Sequence, residues 1–269
     1  MIRSLLLTGG LLAIGQVLSP LAAQDRGLYD RIRSARDGEL RLAYAPRPDV
    51  CGDGETMIRY RDRDSYVRYS GDSRDGSGRR WVRQCIDGPV RVSLTIRDGE
   101  VRRARVYVGG DWRDRDGATD LGIVSAPAAS SALLRLARIR DFGGADDVIF
   151  PAMLADSVTV WPELLRLARD RDAGRKARKS AIFWLSQEAG EAVAEELGDF
   201  VSDRDEDREI REQAVFALSQ LPKDQGVPAL IRAAKTNPDP AIRKKALFWL
   251  GQSDDPRALQ LFEEILTKG

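Results

Sequence analysis

One heptapeptide phrase comes back three times in the last third of this 269-residue chain. It reads Ala181-Ile182-Phe183-Trp184-Leu185-Ser186-Gln187, then Ala214-Val215-Phe216-Ala217-Leu218-Ser219-Gln220, then Ala246-Leu247-Phe248-Trp249-Leu250-Gly251-Gln252, at intervals of 33 and 32 residues. A near-constant period of that length describes supersecondary units stacked in a row, each burying its apolar face only against its neighbours.

Apolar residues around the phrases recur with helical period. They mark helix pairs at about 128–140 with 145–156, 161–170 with 174–187, 190–201 with 206–220 and 226–235 with 239–252, and a ninth helix at 256–267. Pro162, Pro228, Pro240 and Pro256 fall near the expected helix starts, where a missing N–H costs least, and Asp239 precedes Pro240 as an N-cap.

Upstream of the phrases a second regularity appears. Asp207, Ile210 and Arg211 lead to Ala214 as Asp239, Ile242 and Arg243 lead to Ala246; Ala177 and Arg178 lead to Ala181 in the same frame, without the aspartate. This D-x-x-I-R-x-x-A-x-x-(A/W)-L pattern resembles the short bacterial HEAT-like repeats, a type also seen in phycobilisome lyases. The resemblance covers about residues 128–269. It implies a superhelical α-solenoid that binds other proteins, in which Arg178, Arg211 and Arg243 are structural, with Asp207 and Asp239 as carboxylate partners at the same helix start. Two enzyme families share such repeats. One uses His–Glu metal motifs, and this chain has no histidine. The bilin lyases act on cytoplasmic light-harvesting proteins, which fits poorly with an exported chain.

The first 23 residues read as an export signal: Met1-Ile2-Arg3, an apolar run from Leu5 to Leu18 broken by glycine, and a cleavage region ending near Ala23. Export predicts a periplasmic or secreted protein, without a membrane span in its mature form, in which Cys51 and Cys85, the two cysteines present, form a disulfide.

Between signal and repeats the period changes from 3.6 to two. After a short helix near 24–35, Leu40, Leu42 and Tyr44 alternate with Arg41 and Ala43, while Val90, Val92, Leu94 and Ile96 alternate with Arg91, Ser93 and Thr95, which are expected to face outward. Asp98-Gly99 is a tight turn into a partner strand at 101–108, and 57–60, 66–69 and 81–85 are shorter strand candidates. The expected class is therefore α+β in two domains. Residues 1–23 are a signal peptide, 24–110 a small, mostly antiparallel β domain, 111–126 a linker and 127–269 the solenoid.

Lys and Arg number 43 against 42 Asp and Glu, a balance that gives no pull toward nucleic acid or a membrane surface. The absence of histidine excludes His-containing triads and His-based metal sites. Asp203, Asp205 and Asp207 alternate like the start of a calcium loop, but Arg208 stands where glycine is needed and Ala214 where the bidentate glutamate is needed. Asp114, Asp116 and Asp120 are a weaker calcium candidate. No metal, cofactor or catalytic residue is expected.

On a helical wheel from the first alanine of each phrase, positions 0, +3 and +4 form the seam against the partner helix, with Trp184 and Trp249 as core fillers. Phe183, Phe216 and Phe248 at +2, and Gln187, Gln220 and Gln252 at +6, lie on the opposite side, the inner wall of a HEAT-like stack. Two readings of these residues remain: packing between repeats, or a groove for a protein or peptide. The expected function is that of a non-catalytic scaffold. The alternatives are a carboxylate-dependent envelope hydrolase on the β half, or repeats bracing a β domain that binds an anionic polymer through the arginines at 79, 80, 83, 91, 97, 102, 103 and 105.

Overall fold

The strand pattern of the first half is realised as two sheets. The computed structural model describes residues 27–55, 57–60, 66–68, 85–113, 116–140, 142, 144–188 and 190–268. The expected leader lies outside these, as do positions 81–84 of the strand candidate at 81–85. Helix α1 (Leu28–Arg33) is followed by β1 (Gly38–Tyr44), β2 (Val50–Gly52), β3 (Met57–Tyr60), β4 (Tyr66–Arg68), β5 (Val90–Arg97), β6 (Glu100–Val108) and β7 (Thr119–Ile123). One sheet has the order β6-β5-β1-β7 and the other β2-β3-β4.

The antiparallel register sets Leu40 opposite Leu94, Leu42 opposite Val92 and Tyr44 opposite Val90, so the period-two residues share one buried face. The β5–β6 hairpin turns at Asp98 and Gly99, which have φ of 55° and 70°, as a two-residue turn between twisted strands requires. The Asp37 carboxylate accepts from the Asp98 and Gly99 N–H groups at 2.9 and 3.0 Å, and these bonds hold its pKa below the usual range. Cys51 is bonded to Cys85, and Gly52 pairs with Ile86 beside them, tying the small sheet to the chain entering β5.

Two expectations are corrected here. Segment 111–126 is not a bare linker, because β7 within it pairs in parallel with β1. Arg41, Ala43, Arg91 and Ser93 do not face solvent; all are buried. The reason is Trp112, which lies over this second face with the Arg41 and Arg91 guanidiniums 4.9 and 5.0 Å from its ring. Arg91 also donates to the carbonyls of Gly109, Asp111 and Gly54. Desolvation lowers its pKa.

From Ala126 onward the described chain is helical: α2 (Ala126–Ala137), α3 (Ala145–Met153), α4 (Trp161–Arg169), α5 (Arg175–Leu185), α6 (Glu191–Ser202), α7 (Arg208–Gln220), α8 (Lys223–Thr236), α9 (Pro240–Gly251) and α10 (Pro256–Lys268). These are the expected helix pairs, each first helix packed on its second, and they form a HEAT-like solenoid. Ser125 and Asp239 cap α2 and α9 through their side chains. Pro228 proves to lie inside α8, which starts five residues earlier than its proline suggests, with Pro222 as the N-cap.

Strands and repeats share one continuous apolar core. The Tyr44 hydroxyl donates to the Pro151 carbonyl on α3 at 2.7 Å, and residues 45–47 are hydrogen-bonded to 154–156 through Arg47 N to Leu154 O and Asp156 N to Ala45 O. The first repeat is therefore built against the sheet and closed on that side by it.

Candidate interaction surface

Neighbouring second helices are in close contact all along the row, α3 on α5, α5 on α7 and α7 on α9, whereas among the first helices only α6 and α8 pack comparably. The second helices thus form the more evenly packed wall of the stack.

Along this wall runs a chain of ring contacts. Phe150 on α3 stacks on Trp184 at 5.3 Å, Trp184 meets the edge of Phe183 at 5.2 Å, and Phe183 stacks on Phe216 at 6.4 Å. Phe216 then contacts Trp249 at 5.1 Å, and Trp249 meets Phe248 at 5.0 Å. These separations are those of favourable aromatic pairs. Exposure rises along the column: Phe150 is buried, Phe183 and Phe216 are half-buried, and Phe248 is 55% exposed.

Packing between repeats and an accessible aromatic face thus coexist in the same residues. One member of the column, Phe150, went unread in the sequence, and two were read only for their core face. Phe150 stands 33 residues before Phe183, at the same +2 position, in a phrase too degenerate to recognise. Trp184 and Trp249 pack against the core as expected but are only half-buried, and each indole at +3 also meets the edge of the phenylalanine at +2.

The glutamines sit beside the rings. Gln187 Nε2 donates to Ser186 Oγ at 3.2 Å, and Ser186 Oγ donates to the Phe183 carbonyl at 2.6 Å. Gln220, Ser219 and Phe216 repeat this at 3.1 and 2.6 Å. In the third phrase Gly251 takes the serine's place, and Gln252 is exposed.

Two of the three recurrent arginines pair with a carboxylate of the next repeat, and the third bonds at its own helix start. Buried Arg178 donates to the Ala168 carbonyl and pairs with buried Glu206 at the entrance to α7. Arg211 reaches Asp239 at the entrance to α9, at 3.0 Å. Asp207 is approached by Arg175 at 3.4 Å, not by Arg211. Arg243 donates to the carbonyls of Asn237 and Pro238. The expected Arg211–Asp207 pairing fails because the start of the next unit brings Asp239 beside Arg211, and the Arg243–Asp239 pairing fails because Arg208 and Arg211 hold that carboxylate, leaving Arg243 on the carbonyls of its own helix entrance. Asp239, held by the Ala241 N–H and by Arg208 and Arg211, has a lowered pKa. That of Asp255 falls to about 2 through Arg257.

The other candidates are dispersed. The Asp203 carboxylate caps a turn, accepting from the Asp205 N–H at 2.9 Å. Asp120 accepts from Gly122 N, and Asp114 lies outside the described residues. Among the described residues no three Cys, Asp or Glu side chains gather as a metal would need. Of the basic hairpin, Arg91 is buried, Arg102 pairs with Glu100 at 3.1 Å, and positions 79, 80 and 83 lie outside the described residues. Among the described residues no helix is long and apolar enough to cross a membrane.

Residues 194–269 match the family model of HEAT repeats, covering α6 to α10, and no family model matches the N-terminal half. Residues 194–269 are thus HEAT repeats, and the helices α2 to α5 ahead of them fit the same helical stack; such repeats are used generally for binding other proteins and are typically without catalytic function. No curated protein is similar enough to the chain to be matched with it.

Proposed function

We propose that this protein is an exported, non-catalytic scaffold that holds a protein or peptide partner on the inner wall of its repeats, through Phe183, Phe216, Phe248 and the glutamines beside them. The observation that carries this reading is the aromatic column itself. It opens from a buried Phe150 to a Phe248 left 55% exposed, so rings that stabilise the stack also present apolar edges bordered by amides. Aromatic anchors rimmed by hydrogen-bonding groups are what protein interfaces concentrate. Export rests on the N-terminal segment ending near Ala23, and the Cys51–Cys85 bond is in keeping with an oxidising compartment.

The test compares proteins retained from an envelope extract by three forms: the native chain, a Phe183→Ser/Phe216→Ser double variant, and an Arg232→Glu variant on the outer helices. A partner lost from the first variant alone, with the helical circular-dichroism signal intact, supports the proposal. Equal retention by all three forms defeats it.

A further inference from the structure

Each first helix turns one apolar face toward its own second helix. Leu197 and Val201 on α6 have their equivalents 33 residues on, in Leu230 and Ala234 on α8, and all four are buried. A further 32 residues on, the same two positions are Phe262 and Leu266 on α10. Here Phe262 stays half-buried against the core, but Leu266 is 83% exposed, and Leu259 and Ile265 on the same side of the helix are 62% and 47% exposed. Among the described residues no helix follows α10 to cover them.

We propose that this face receives an amphipathic helix from another protein, seated as the second helix of a fifth repeat. Three helices of this chain, α5, α7 and α9, already fill the equivalent seat and define what the guest must carry. Each offers a fully buried alanine (Ala181, Ala214, Ala246) with a buried leucine four residues on. At the entrances to α7 and α9 a carboxylate leads an aromatic of the helix by ten residues, Glu206 before Phe216 and Asp239 before Trp249.

The open edge offers the complements of both groups. Arg178 and Arg211 reach a carboxylate on the following unit, whereas the equivalent Arg243 is bonded only to carbonyls of its own repeat. Phe183 and Phe216 each carry a ring of the following unit, whereas Phe248 is the exposed end of the column. The guest is thus an acid-led helix with an aromatic ten residues on, which continues both the charge pairs and the ring column. This seat lies on α10 and the last edge of α9. It is separable from the groove reading because it depends on Leu259 and Leu266, which the groove does not use.

The probe is a labelled peptide copying residues 204–221 of this chain, titrated against the full chain and followed by fluorescence anisotropy. Saturable binding is expected. Leu266→Asp or Leu259→Asp in the protein should weaken it at least tenfold while leaving the circular-dichroism melt unchanged, since both side chains already face solvent. Arg243→Glu should weaken it as well, with recovery when Glu206 of the peptide is exchanged for arginine. Absence of saturable binding, or binding indifferent to Leu266→Asp, overturns the proposal. So does sedimentation showing a dimer that Leu266→Asp dissolves, which would make a second copy the occupant.

Discussion

The Arg178–Glu206 contact offers the sharpest energetic test of how the repeats are held in order. Both side chains are only 5% exposed. Arg178 also donates to the Ala168 carbonyl at 2.8 Å, and Glu206 accepts from the Asp207 N–H at 2.8 Å. Removing one member strands the other charge in a desolvated site, a change that costs about 3–5 kcal/mol for buried pairs. Arg178→Met is expected to lie in that range, and Glu206→Gln somewhat lower because the amide still accepts from Asp207. The double variant Arg178→Met/Glu206→Met removes both charges and should recover about 2 kcal/mol relative to the sum of the single Met variants. As a control, Arg140→Met breaks an ion pair with Asp172 whose side chains are 63% and 100% exposed, and should cost under about 1 kcal/mol. Urea unfolding followed by helical circular dichroism, with hydrogen exchange in α5 and α7, measures these quantities. If Arg178→Met costs no more than Arg140→Met, or the cycle is additive, the buried pair does not register the repeats and the argument built on it fails.

Three further outcomes follow from other parts of the molecule. At Gly226 an added Cβ would fall 2.1 Å from the Leu218 carbonyl oxygen, so Gly226→Ala should destabilise by about 1–3 kcal/mol despite alanine's better helix propensity, as read from the thermal midpoint. Replacing Cys51 and Cys85 with serine opens a link between residues 34 apart and should cost about 4 kcal/mol in the chain-entropy model; protease susceptibility should rise in the β half while the helical signal stays. Asp255 is held near a pKa of about 2 against an ordinary 3.8, so the unfolded chain binds the proton first as pH falls. Its stabilisation is complete above about pH 4 and is lost on acidification toward pH 2, and the melting temperature of Asp255→Asn should change less over that window than that of the native chain.

What the sequence revealed and what it hid divide along physical lines. The helix pairs were readable because Ala181, Ala214 and Ala246 keep a strict period and prolines mark several starts. The β1, β5 and β6 strands were readable because one face is uniformly apolar. The burial of Arg41 and Arg91 was not readable, because it depends on Trp112 folding back over the sheet from a segment rich in glycine and charge. The partner of Arg178 went unread and that of Arg211 was misassigned, because residues adjacent in three dimensions here lie 28 positions apart in the chain. The aromatic column was half-read: the +2 phenylalanines announce themselves, but a wheel that treats side chains as points cannot show an indole bending from +3 to meet them.

The most direct measurement places a photo-reactive benzoylphenylalanine at position 216 on the inner wall and, separately, at position 232 on the outer helices, then compares cross-linking to proteins of the envelope. The account predicts adducts from position 216 that disappear when Phe183 is also changed to serine, and none from position 232. Adducts confined to position 232, or equal at both, would contradict it.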